Sequence, residues 1–92
     1  TLDKEALRYM DSESRIAVVG IVVEDRLNAA KKVNEILSLH ADIIVGRLGV
    51  PHIEKEAGVI ALIINGTTDE IGSLTGKLGN VKGVKVKSAI TT

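Results

Sequence analysis

The 92-residue chain has no cysteine, no tryptophan and no phenylalanine, and Tyr9 is its single aromatic residue. The missing thiols exclude disulfides, cysteine-type zinc sites and a cysteine nucleophile. The missing rings exclude a stacking platform for nucleic acid bases, and they leave Val, Ile, Leu and Ala to build the core. Long hydrophobic runs are also missing. The longest, Ile16 to Val23, is far short of the roughly 20 residues a membrane helix needs. No charged-then-apolar leader is visible, which predicts a cytoplasmic protein without a membrane partner. Neither sign of charge is in excess: twelve Lys and Arg balance twelve Asp and Glu. A duplex-binding domain usually carries a clear basic surplus, so direct DNA binding is not expected.

What remains is a globular composition, 45% hydrophobic and 26% charged, in a chain long enough for one core. The charge is unevenly spread. Residues 71–92 contain Lys77, Lys82, Lys85 and Lys87 and no acid, while the first 70 residues carry eight basic against twelve acidic groups. The expected reading is a solubilised edge strand with its preceding turn.

Residues 1–14 have a loose helical pattern through Leu2, Ala6, Tyr9 and Met10 and read as an N-terminal extension, a short helix or arm. The domain proper spans 15–92. Arg15 to Val23 is β-branched and apolar, a strand. Asp25 is a good N-cap for a helix from Arg26 to about Leu39, with Leu27, Ala30, Val33, Ile36 and Leu37 as its apolar stripe. Ile43 to Val50 reads as a second strand ending at Pro51, His52 to Ala57 as a hairpin connection, and Gly58 to Ile64 as a third strand, with Asn65-Gly66 as the break after it. Thr67-Thr68-Asp69-Glu70 is a capping box. The helix behind it has Ile71, Leu74, Leu78 and Val81 at helical spacing and ends near Gly79 or Asn80. After a Lys82-Gly83 turn, Val84 to Ile90 alternates as a fourth strand.

Strand, helix, strand, strand, helix, strand is the split βαββαβ unit of the α+β ferredoxin-like fold. Right-handed crossovers make it a four-stranded antiparallel sheet with two helices on one face. The first and third strands, the most apolar, belong in the centre. The second and fourth carry Arg47, Pro51, Lys85 and Lys87 and belong at the edges.

Helices cover only one face of such a sheet, so each strand should alternate apolar and polar. The central strands do not. Ile16, Val18 and Val22 oppose Ala17, Val19, Ile21 and Val23, and Val59, Ala61 and Ile63 oppose Ile60, Leu62 and Ile64. Whichever set packs on the helices, six to eight aliphatic side chains remain, each contributing roughly 1.5–3 kcal/mol when buried. A soluble monomer rarely exposes such a patch, so the expectation is a homo-oligomer, a dimer or tetramer, joined through the sheet.

The motifs for chemistry are sparse. Gly72 to Lys77 approaches a phosphate loop, but it has three residues between its glycines, Leu78 follows the lysine, and it falls inside a helix. Its small residues are read as allowing close packing of that helix on the sheet. No constellation for nucleophilic or acid–base catalysis stands out, so the chain is not expected to be an enzyme. His40, near Asp42, and His52, near Glu54 and Glu56, are the candidate metal ligands. Glu24, Asp25 and Arg26 lie where a helix N-terminus can hold an anion.

Val19 to Arg26, Asp42 to Gly49, Asn65 to Gly72, Thr75 to Gly79 and Gly83 to Ala89 together resemble the iron-only hydrogenase system regulator family, small bacterial proteins of ACT-like fold. The resemblance spans about residues 15–90 and implies a regulatory role, although no helix-turn-helix or ribbon-helix-helix is present. The domain is also similar to the C-terminal regulatory domain of the nickel-responsive regulator, which assembles through its sheets. By that likeness His52 falls on a metal-ligand position and His40 lies one residue from another. Gly58 and Val50 stand where a ligand cysteine and histidine would be, so that nickel site is not preserved, and a different site would draw His40 and His52 from different subunits. ACT domains bind amino acids near the loop after the first strand, which again marks Glu24, Asp25 and Arg26 as ligand-binding candidates. Arg47 on the edge strand joins them. The resulting expectation is a regulatory module that self-associates through its sheet and binds a small ligand or metal between subunits. The alternative is a ligand-free structural adaptor that oligomerises partner proteins.

Overall fold

A computed structural model describes residues 14–54 and 57–91. The elements follow the expected order: β1 (Ser14–Val23), α1 (Arg26–Leu39), a 3-10 turn (Ala41–Ile43), β2 (Ile44–Glu54), β3 (Ala57–Thr67), α2 (Thr68–Gly79) and β4 (Val84–Ile90). The strands form one sheet in the order β2-β3-β1-β4, all neighbours antiparallel. The fold is the ferredoxin-type, ACT-like sandwich that the pattern implied, with the apolar strands central. The extension expected over residues 1–14 lies outside the described residues except for Ser14.

Two caps start the helices. The Asp25 carboxylate accepts from the Asn28 backbone N–H at 3.4 Å and from the Asn28 amide at 2.6 Å. At α2 the capping box is complete: the Glu70 N–H donates to Thr67 Oγ1 at 3.1 Å, and the Thr67 N–H donates to Glu70 Oε1 at 2.8 Å. Each satisfies backbone donors that have no partner within the helix. The turn into β4 needs the left-handed backbone of Gly83, at φ +80°, where a side chain would be strained. Its carbonyl accepts from the Glu24 N–H at 2.7 Å, tying this turn to the β1–α1 loop.

The core lies between the helices and one sheet face. Ala17, Val19, Ile21, Leu62 and Ile64 from the central strands meet Val33 and Leu37 of α1 and Ile71, Leu74 and Leu78 of α2, all essentially without solvent contact. No polar or charged residue is buried among the described residues, so association of helix and sheet is driven almost wholly by apolar burial.

Four local expectations are corrected. Leu27, placed on the buried stripe of α1, is 75% exposed, and Ala29 is buried in its place. Leu27 lies in the first turn, just after the loop that leaves β1. The hairpin is tighter than expected, because β2 runs through Pro51 to Glu54 and β3 begins at Ala57. Asn65-Gly66 does not end β3. Ile16 and Arg15 pair with these two residues, and the space beside Gly66 is filled by Ile43 and Glu70 side chains. Finally, Gly72 and Gly76 do not mediate close packing, and neither does Gly79 at the helix end. They are exposed, and a Cβ at any of them would meet nothing within 4 Å.

Candidate functional site

The sheet face away from the helices is where the two-sided hydrophobicity becomes visible. Residues directly opposite in register share a face, so three rows can be read across it. Val50, Val59, Val22 and Lys85 form one; Leu48, Ala61, Gly20 and Lys87 the next; Gly46, Ile63, Val18 and Ala89 the third. Ile16 adjoins them in β1. Ile16, Val18, Val22, Leu48, Val50 and Ile63 are 37–68% exposed. Six aliphatic side chains thus share one open surface, and among the described residues of these rows charge lies at the β4 margin, where Lys85 binds Glu24 at 2.9 Å. That partnership, through the hydrogen bond first and the charge second, raises the Lys85 pKa.

The second feature is a cavity of about 230 Å³ between α1 and the β2–β3 pair. Arg26, Ala30 and Asn34 approach it from α1, at the i, i+4, i+8 spacing that places residues along one helix face. Arg47, Val50 and Pro51 come from β2, and Gly58, Val59 and Ile60 from β3. Arg47 Nη2 lies 3.5 Å from Asn34 Oδ1 across the gap. The backbones approach closely at Gly58: a Cβ there would sit 3.2 Å from the Pro51 carbonyl oxygen, so the strand would have to give by a few tenths of an ångström, and 3.6 Å from Arg26 Cδ.

Of the four ligand candidates, Arg26 and Arg47 therefore converge on one cavity. Glu24 and Asp25 face the other side of α1, along a cleft of about 660 Å³ that also carries Lys32, Lys77 and Lys82. There Glu24 is held by Lys85 and Asp25 by the helix it caps. Ala30 and Asn34 are cavity residues that the sequence reading missed. Their spacing from Arg26 was the available signal.

Along the backbone of one chain the two metal candidates lie far apart. His40 is the C-cap of α1, and its Nε2 lies 3.3 Å from Lys77 Nζ. Desolvation, with the Lys77 charge as the next cause, lowers its pKa. His52 is in the distal part of β2, eight residues beyond Ile44, a strand path of about 26 Å at the usual rise. The His52 side chain lies outside the described residues. Among the described residues no three His, Cys, Asp or Glu side chains converge as a metal site. No described helix is long and apolar enough to cross a membrane.

Comparison with known proteins gives the site its setting. Residues 15–88 match the TM1266-like family, described as "Iron-only hydrogenase system regulator, putative". A search of curated proteins gave no match. Among solved structures, the uncharacterised protein TM1266 from Thermotoga maritima is 40% identical, with 87% of this chain and 100% of that chain covered at a TM-score of 0.82. The ACT domain of GTP pyrophosphokinase from Chlorobium tepidum has 23% identity, coverage of 83% and 99%, and a TM-score of 0.69. The C-terminal domain of the MgtC protein from Mycobacterium tuberculosis has 13% identity, coverage of 88% and 92%, and a TM-score of 0.67. The last two share the fold.

Proposed function

The chain belongs to the TM1266-like family of iron-only hydrogenase system regulators, and from that premise we propose that it is a non-enzymatic regulatory module that self-associates through its open sheet face. The observation that carries this reading is the six-residue aliphatic surface on that face. Covering half-exposed aliphatic groups releases roughly 25 cal/mol per Å² of apolar surface, and a second copy offers the same surface. Assembly then couples to a small ligand held near Arg26 and Arg47, the two candidate residues that share a cavity. Ligand binding would shift the assembly equilibrium only through different affinities for the free and assembled states.

The ligand-free adaptor has one observation in its favour. Glu24 and Asp25, singled out for ligand binding, are engaged by Lys85 and Asn28. Sedimentation velocity at micromolar concentration tests what both readings share: a dimer or tetramer is expected, dissociated by Val18→Asp at the centre of the face. A wild-type monomer would remove both. Thermal-shift screening with small organic acids, amino acids, nucleotides and divalent metals separates them, since no stabilisation by any of these favours the adaptor.

A further inference from the structure

Positive charge gathers on the other side of α1. Asn28 and Lys32 stand one helical turn apart, on the face of α1 turned away from Arg26, Ala30 and Asn34. They line the cleft of about 660 Å³, whereas Pro51 and Gly58, beside the β2–β3 hairpin, line the other cavity. Three ammonium groups line this cleft from three segments: Lys32 from the middle of α1, Lys77 from the last turn of α2 and Lys82 from the turn into β4. Two carboxylates share the wall, and both are engaged. Glu24 Oε1 is 2.9 Å from Lys85 Nζ at the margin of the open sheet face. Asp25 caps α1 and accepts from the Asn28 amide at 2.6 Å. Beyond Glu70 the sequence has no acidic side chain, so the rest of α2, the turn and β4 add only lysines. With Glu24 matched by Lys85, three ammonium groups face one carboxylate, a surplus of two positive charges. The carboxyl end of α2 favours nearby cations and accounts in part for Lys77 and Lys82, but Lys32 lies outside that effect.

We propose that this cleft binds a small phosphate monoester, its terminal phosphate held among Lys32, Lys77 and Lys82. A monoester carries about −1.5 to −2 charge at pH 7, which matches the surplus, whereas a diester carries a single charge. An ammonium group meets phosphate as a point charge with rotatable donors, and three from separate segments suit a tetrahedral group with three terminal oxygens. The cleft is several times larger than a phosphate group at roughly 30 Å³ per water-sized atom, so an organic portion fits beside it. This site is separate from the open sheet face and from the Arg26–Arg47 cavity, and its ligand can be tested apart from assembly.

Matched compounds at constant ionic strength test it. Isothermal titration of the full chain compares adenosine 5′-monophosphate with its cyclic 3′,5′-diester, and glucose 6-phosphate with glucose. Each monoester is expected to bind at least about tenfold tighter than its partner, because charged hydrogen bonds are lost in the partner. The double variant Lys32→Gln, Lys82→Gln changes exposed positions and should weaken monoester binding by at least about tenfold, with thermal unfolding little changed. Lys31→Gln removes the same charge from the groove beside Asn34 and Glu35 and should change binding less than about twofold. The His40 ring, 3.3 Å from Lys77 Nζ, gives a local signal, and its ring resonances should move as either monoester is added. Binding of one monoester and not the other keeps the phosphate site and identifies the organic portion. Inorganic phosphate bound as tightly as either ester would overturn the ester, and equal binding of the cyclic diester would overturn recognition through a terminal phosphate. An equal loss in Lys31→Gln would reduce the effect to general surface charge and overturn the site. Binding of neither monoester would overturn the proposal outright, while the sedimentation test of assembly would stand unaffected.

Discussion

The two faces of the sheet are built from nearly the same residues and have opposite fates. Val19 and Leu62, directly paired, are fully buried beneath the helices, whereas Val18 and Ile63, paired one position away, are about half exposed. Burial on the first face is set by α1 and α2. On the second, the same kinds of side chain stay open among the described residues. Hydrophobicity along a strand therefore reports two quantities at once, the core of the chain and its exposed apolar area, which the proposed assembly would cover.

The largest expected effect breaks this symmetry on the covered side. Leu62→Ala should cost about 2–5 kcal/mol in urea unfolding, because the vacated space is closed on every side. Its neighbour on the open side behaves differently. Ile63→Asp should leave monomer stability within about 1 kcal/mol at high dilution, yet abolish the concentration dependence of the sedimentation coefficient. If both variants unfold the chain equally, the two faces are not the distinct surfaces described here.

The same contrast recurs on α2, and smaller effects sharpen it there. Thr67→Ala removes one half of the capping box that sets α2 on the covered face, and about 1 kcal/mol of stability should go with it. On the outer side of that helix, Gly76→Ala should raise stability by up to about 1 kcal/mol, since the new methyl group meets open space and the unfolded chain loses freedom. Denaturant midpoints of the two variants should move in opposite directions.

The smallest expected effect is a pH dependence from His40. Its folded pKa lies below the ordinary value of 6.5, so the unfolded chain takes up a proton first. Stability should fall as the pH drops below about 6.5, until the folded state is protonated as well. His40→Gln should flatten that part of the profile of melting temperature against pH.

Much of this architecture was legible in the residues. The central strands declared themselves by apolar runs, the edges by Arg47, Pro51, Lys85 and Lys87, and the second helix by Thr67 and Glu70. What escaped was what only tertiary contact decides. Leu27 lies on the helical stripe, yet it is three-quarters exposed. Asn65-Gly66 looks like a break, yet Arg15 and Ile16 in β1 continue the ladder through it. The glycines of α2 look suited to packing, and only the orientation of the helix turns them outward. At the site, Arg26 and Arg47 were identified singly. Their meeting across α1 and β2, with Ala30 and Asn34 between, depends on a crossover that no local pattern records.

Lys85 and Lys87 also give the open face a direction. A twofold axis perpendicular to the strands would lay each lysine margin on its own copy, ammonium against ammonium. An axis running along the strands lays it instead over the partner's opposite border, where Leu48 and Val50 lie and the long lysine stems can rest on aliphatic surface with their heads in water. In the proposed assembly, with Lys85 already paired to Glu24, repulsion between the Lys87 ammonium groups would disfavour the first way of stacking and leave the second.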